Sequence, residues 1–255
     1  MQTKLSPEAF KIIESYFHLQ IASKDVVCPY FINLRKRKAD LRALIGKGTA
    51  EEITEEVMIY AKIKGFDLQK ASAIDIRNFM INIGIGIDCS GFVTYILNEE
   101  LKVKGKPSLV NVLSYYDNSL KAKILRIIRP VQNVSANDIT SELNTIKIQN
   151  LNEVQAGDLI RAHAPEEGMH VAIVSDIIQN PEGKTTAFKY VHSTRNYDDQ
   201  NGMREGEIII TDPLKGLDQQ NWKDEYKGRN WIKEEYLMNK EDSGIRRLKI
   251  FEKEK

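Results

Sequence analysis

The stretch Ile87-Asp88-Cys89-Ser90-Gly91-Phe92-Val93, running on into Thr94-Tyr95-Ile96-Leu97, separates a helical first part of this chain from a strand-rich remainder. It reads as a turn that opens an amphipathic helix, with Phe92, Val93, Ile96, Leu97 and Leu101 on one side. Gly84-Ile85-Gly86 supplies a flexible entry. Cys89 thus falls in the first helical turn. There the unpaired backbone N–H groups and the positive end of the helix dipole favour an anion. A cysteine so placed is predicted to ionise more readily, and the thiolate is the nucleophilic form.

Upstream, the pattern is helical. Ser6-Pro7-Glu8 is a start signal, a capping side chain followed by proline at the first helical position. Phe10, Ile13, Phe17 and Ile21 follow at spacings of three and four, predicting one apolar face. A second helix is expected from about Phe31 to Ile45, with Gly46 as its stop. Thr49 and Glu52 form a capping box ahead of Ile53, Val57 and Tyr60, and Gly65 closes that segment. Ser72 to Ile83, with Asp75 three residues after the cap, is one more helix.

Downstream, short runs rich in β-branched and aromatic residues read as strands: Asp158 to His163, His170 to Val174, Ala187 to His192 and Glu207 to Thr211. Ala164-Pro165, Asn180-Pro181-Glu182-Gly183 and Asp212-Pro213 separate them. Arg246 to Phe251 is a candidate last strand that returns the C-terminus to the sheet. Helices first and antiparallel strands afterwards predict an α+β fold. The expected organisation is a helical segment over 1–83 and a second unit over 84–255. The lysine-rich stretch of about 102–150 reads as an insertion with some helix.

Composition narrows the function classes. Acids and bases nearly balance, 36 against 37, so the chain lacks the basic footprint of a nucleic-acid binder. The one basic run, Arg35-Lys36-Arg37-Lys38, reads as a solvated helix face. No apolar run reaches membrane-spanning length, and the first eight residues carry no apolar signal core. The expectation is a cytoplasmic protein as written, or an extracytoplasmic one if a leader preceded it. Two cysteines, Cys28 and Cys89, make neither a disulfide framework nor a Cys-x-x-Cys zinc pair.

A cysteine nucleophile needs a base, and the base needs a group that holds its ring. Among the four histidines, His18 lies within the first helix and reads as a surface residue. His163 ends a strand beside a proline loop. His170 begins one strand and His192 ends the next, so an antiparallel hairpin folded near Pro181 brings the two to one end of the sheet. Whether they share a face depends on a one-residue choice of register. Metal binding by Cys89, His170 and His192 is disfavoured, because no close ligand pair such as His-x-x-x-His is present.

Four blocks in order resemble the successive motifs of the NlpC-type cysteine peptidases: Asp88-Cys89-Ser90-Gly91-Phe92-Val93, Gly157-Asp158-Leu159, His170-Val171-Ala172-Ile173-Val174 and Tyr190-Val191-His192. Members of that family are papain-like enzymes that cut the peptide stems and crosslinks of bacterial cell walls. The resemblance covers roughly Gly84 to Thr211. It implies a papain-like core in which the cysteine helix packs on an antiparallel sheet. It also implies Cys89 as nucleophile, His170 as general base and His192 as the residue that orients it. Asp88 and Ser90 would flank the substrate near a free amino end. No cofactor is implied. The implied partner is a peptide or peptidoglycan fragment, with neither nucleic acid nor integral membrane association.

The chain departs from that pattern in three places. The tyrosine that usually precedes the cysteine block has no match in Phe79 to Gly86, and Tyr30, Tyr60 and Asn82 are the candidate substitutes. The separation of Cys89 from His170 exceeds the family's usual spacing, as an insertion would require. No export signal is visible. Trp222 and Trp231 read either as groove-lining or as packing residues, and Arg161 and Arg195 either as partners of a substrate carboxylate or as salt-bridge residues. The expected function is a thiol-dependent amide hydrolase, an endopeptidase on stem peptides or related peptides. The alternatives are a catalytically silent binding or scaffold module and a cytoplasmic amidase or isopeptidase on a non-wall substrate.

Overall fold

Residues 2–32, 41–166 and 168–252 are described by a computed structural model. The Arg35–Lys38 run and most of the expected second helix lie outside the described residues. The first element is α1 (Pro7–Phe17), capped by Ser6, whose side chain accepts from Ala9 N–H. Its buried face is Ala9, Ile13 and Tyr16 rather than the expected Phe10, Ile13, Phe17 and Ile21. The helix ends at Phe17, and Ile21 belongs to a small hairpin of β1 (Leu19–Ile21) and β2 (Lys24–Val26). Ala22 and Ser23 turn that hairpin with positive φ, the geometry a two-residue loop needs.

Arg42–Ile45 form a short 3-10 turn that stops at Gly46 in the left-handed region, φ 76°. Both expected capping boxes are present. Thr49 and Glu52 start α2 (Ala50–Lys64), and Ser72 and Asp75 start α3 (Ala73–Ile83). Next comes α4 (Cys89–Val103), followed by the short α5 (Leu109–Val112), then α6 (Leu120–Ile128) and α7 (Ala136–Thr140). The stretch read as an insertion therefore contains three helices. It also contributes β3 (Thr145–Ile148), an edge strand of the main sheet.

The remaining elements are β4 (Leu159–Ala164), β5 (Gly168–Gln179), β6 (Thr185–Thr194), β7 (Gly202–Ile209), β8 (Asn221–Trp222), α8 (Trp231–Met238) and β9 (Gly244–Leu248). Seven strands form one antiparallel sheet in the order β3-β9-β4-β5-β6-β7-β8. The fold is α+β. The last strand does return to the sheet, though it ends at Leu248 and a 3-10 turn covers Lys249–Phe251.

Strand alternation gives the sheet two apolar faces. Val171, Ile173 and Val191 join the cluster of α1 and α4, while Ala172, Val174 and Tyr190 join that of Trp222, Ile232 and Tyr236. Phe92, Val93, Ile96, Leu97 and Leu101 of α4 are fully buried. At roughly 1.5–3 kcal/mol each, their burial outweighs the about 1 kcal/mol of the helix cap. Packing on the sheet, more than capping, holds α4 where it is. The N-terminal helices share the same cluster, and buried Glu100 of α4 accepts from Ser6 N–H and Gln2 Nε2. Asp158 opens β4 as a structural anchor, accepting from Nε and Nη2 of Arg247 on β9 at 2.8 Å each.

Candidate active site

Two backbone segments clamp the turn ahead of α4. Ile87 N–H donates to Pro29 O, Phe31 N–H donates to Ile87 O, and Asp88 N–H donates to Gly46 O. The fit is close. A Cβ on Gly46 would lie 2.2 Å from Phe31 O, so both its positive φ and this contact demand glycine. Asp88 caps α4 by accepting from Gly91 N–H at 2.6 Å, which leaves Cys89 at the first helical position.

The β5–β6 ladder begins at Ile173–Val191, yet both strands run on past it, β5 against β4 and β6 against β7. The sheet therefore forks there. The start of α4 fits the fork: Ser193 Oγ donates to Ile87 O at 2.7 Å, and the N–H of Val171 faces the Cys89 sulfur. Across the fork, His170 Nε2 meets His192 Nδ1 at 2.8 Å. Extending the Ile173–Val191 register puts His192 opposite Ala172, so His170 and His192 share a face.

His192 Nε2 in turn lies 3.1 Å from Asp224 Oδ2. Asp224 also receives Arg204 Nε and Nη2 on Oδ1 at 2.8 and 2.6 Å, and the Tyr197 hydroxyl on Oδ2 at 3.0 Å. Burial pushes the Asp224 carboxyl up, but the hydrogen bonds and charges of His192 and Arg204 outweigh it and hold the group below its ordinary range. A carboxylate only accepts, so His192 carries its proton on Nε2. When His192 carries that proton alone, its Nδ1 accepts and His170 Nε2 donates. The lone pair of His170 is then on Nδ1. Burial, then the proximity of His192 and Arg195, pushes His170 well below the ordinary histidine value, so it is neutral.

The thiol differs from the expectation of a readily formed thiolate. Burial, then the charge of Asp88, pushes Cys89 up to about 12, although the Val171 N–H and Lys47 pull it down. Desolvation and the negative cap beside the sulfur outweigh the helix dipole. Cys89 and His170 thus rest as a neutral thiol and imidazole. Cys28 is fully buried and pushed higher still. Alkylation of Cys89 by iodoacetamide is therefore expected to be slow at neutral pH and to accelerate through pH 9 and above, with Cys28 unlabelled until the chain unfolds. Mass-spectrometric mapping of the label against pH checks this. Rapid labelling of Cys89 at pH 6 would contradict the neutral resting pair.

A cavity of about 460 Å³ is lined by Tyr30, Lys47, Asp88, Cys89, Ser90 and His170, with Gln132 to Asn137 on one wall and Arg195 and Glu235 on another. Lys47 is buried in it. Its Nζ donates to Asp88 Oδ1 at 2.9 Å, Ser90 Oγ at 2.5 Å and Val134 O at 2.9 Å. An ammonium has three N–H donors, so all are used. Asp88 and Ser90 line the cavity as expected, but an internal cation already engages them.

Of the three substitutes for the missing tyrosine, Tyr30 alone lines this cavity. Burial, then the nearness of Cys89 and Asp88, raises its phenol well above the ordinary value and keeps it a hydrogen-bond donor. Asn82 borders a different surface hollow and Tyr60 packs against the core. Other candidates also find structural partners. Arg161 is buried and bonds Asp242, Asn137 and Thr140. His163 meets Asp242, and His18 sits exposed between Glu14 and Asp25. Trp222 is core, its Nε1 donating to Leu217 O, and Trp231 lies under Arg229.

Sequence reasoning missed Lys47, Asp224 and Arg204. Nothing local marks Lys47 beyond its place after the Gly46 stop, and Asp224 stands between two other charged residues. Arg204 was legible only through register, since β6–β7 pairing sets it opposite His192. Among the described residues no group of three or more His, Cys, Asp or Glu side chains is arranged to hold a metal ion. No helix there is long and apolar enough to cross a membrane. No protein-family model matches the chain, and no curated protein sequence does so either.

Proposed function

We propose that the protein is a thiol-dependent amide hydrolase that works through a Cys89 acyl-enzyme, with a papain-like core formed by α4 and the β5–β6 pair. The observation that carries this reading is the buried line His170, His192, Asp224 at the strand fork, whose His170 end lines the same cavity as Cys89. A scaffold has no use for a buried line of polar groups whose proton positions are set from one end.

As the Cys89 sulfur attacks an amide carbonyl, its proton moves to His170 Nδ1, a C–S bond forms and the carbonyl oxygen becomes an oxyanion. The oxyanion collapses, the C–N bond breaks, and His170 returns the proton to the leaving amine. Water then attacks the thioester with His170 as base, releasing the acid and restoring the thiol. The oxyanion is held by Cys89 N–H at the helix start and by the Tyr30 hydroxyl. Replacing Tyr30 with phenylalanine is expected to lower kcat by about 10²-fold with little change in KM, the loss typical of one such donor. An unchanged kcat would remove Tyr30 from the mechanism.

The Lys47 ammonium bears on the substrate. It neutralises Asp88, so this corner offers no unpaired carboxylate to receive a free amino group. The reading that follows is a peptide or isopeptide substrate whose acyl side has no free amine at that subsite. Stem peptides with the amine free and with it acylated should be incubated with the protein and products read by mass spectrometry. Cleavage of the acylated form, lost in Cys89→Ala, supports both parts. Cleavage that survives Cys89→Ala would overturn the mechanism.

A further inference from the structure

Helix α6 wears its apolar face outward. The stripe Leu120, Ile124, Ile127 and Ile128, spaced i, i+4, i+7 and i+8, is 75%, 46%, 80% and 67% exposed. Tyr116, just ahead of the helix, is also exposed. The longer helices α1, α2, α3 and α4 each bury an apolar face, although Ile59 and Ile63 of α2 and Ile74 of α3 are exposed, whereas no residue of α6 is buried. Lys121 and Lys123 are exposed beside the stripe, and Arg126 lies over the Tyr115 ring at 3.8 Å. Arg129 brings the basic residues to four, and no acidic residue occurs between Asp117 and Asp138.

From this pattern we infer that α6 is an interfacial helix that docks the protein on an anionic lipid surface. An apolar stripe enters the acyl boundary while lysines reach the headgroup phosphates with their stems along the boundary. A single-sign field over twenty residues is neutralised by a continuous negative surface. A protein groove would have to supply matching acids at discrete points.

The position of the helix makes docking consequential. Asn133 Nδ2 donates to Leu125 O at 3.1 Å and to Arg129 O at 2.7 Å, bonding the end of α6 to the segment that lines the cavity. A docked α6 holds that cavity wall close to the headgroup plane, where substrates attached to or released at the membrane would be met. Docking through α6 does not require cysteine chemistry.

The full chain should be sedimented with phosphatidylcholine vesicles, with and without phosphatidylglycerol. Binding is expected on the anionic vesicles and should weaken with added salt. Leu120→Ser with Ile127→Ser is expected to reduce it by tenfold or more, as loss of two buried aliphatic side chains requires. Lys121→Ala and Lys123→Ala should each reduce it by about fivefold on anionic vesicles. These side chains are exposed, so the thermal midpoint should not move, and Cys89→Ala should bind like the unaltered protein. Absence of binding to anionic vesicles would overturn the inference, as would binding that survives the double serine variant. So would a dimer, seen by light scattering, that the same variant dissociates while no vesicles are bound, since the stripe would then belong to a second copy of the chain.

Discussion

Cys89→Ala and His170→Ala are each expected to reduce hydrolysis of a cleavable amide by about 10⁴-fold or more, and the double variant by no more than either alone. The reason is the neutral resting pair. A thiol held at about 12 is ionised to roughly one part in 10⁵ at pH 7, so Cys89 without a base is nearly inert. His170 without the sulfur has nothing to deprotonate except water. Each residue is useful only through the other, which is why their effects should not multiply. Steady-state kinetics on the single and double variants checks this. Multiplying losses would mean that the two act independently, and the acyl-enzyme reading would fail. Cys89→Ala removes one sulfur from a site that is 7% exposed, so circular dichroism and thermal melting should report a folded protein.

Local rules made the helical half legible. Ser6-Pro7, Thr49 with Glu52 and Ser72 with Asp75 start helices where their side-chain chemistry says they should, because a cap satisfies backbone donors within one turn. Gly46 and Gly65 stop segments for an equally local reason, their positive φ. The strands were legible by composition, and so was the meeting of His170 and His192, which needs only a hairpin. Their common face was not. It depends on the β5–β6 register, and the Val174–Asp176 register shift in β5 breaks the alternation that a sequence reader would count along.

What the sequence hid is what tertiary structure alone creates. Lys47 reaches Asp88 from 41 positions away and Asp224 reaches His192 from 32, and neither separation has a pattern to read. The thiol shows the same limit in energetic terms. A helix N-terminus is visible in a sequence, but the desolvation that opposes it depends on what packs around the sulfur. The inverted face of α6 was hidden likewise, since periodicity reveals a stripe without saying which way it points.

Asp224→Asn is expected to lower kcat by about 10²–10⁴-fold while leaving KM nearly unchanged. Arg204 decides which way the new amide faces. Its two donors need an oxygen at the Oδ1 position, so the carbonyl turns toward Arg204 and the NH₂ group takes the Oδ2 position facing His192 Nε2. Two donors cannot meet, so His192 moves its proton to Nδ1. It then donates to His170 Nε2, which forces the His170 proton onto Nδ1, the atom that receives the thiol proton in the proposed reaction. One atom changed at the far end of the line thus blocks the base at the near end. The signature is specific. Two-dimensional ¹⁵N NMR of the imidazoles should report the exchanged tautomer in Asp224→Asn, together with the kcat loss. If the variant keeps both its tautomers and its kcat, Asp224 has only a structural role behind His192.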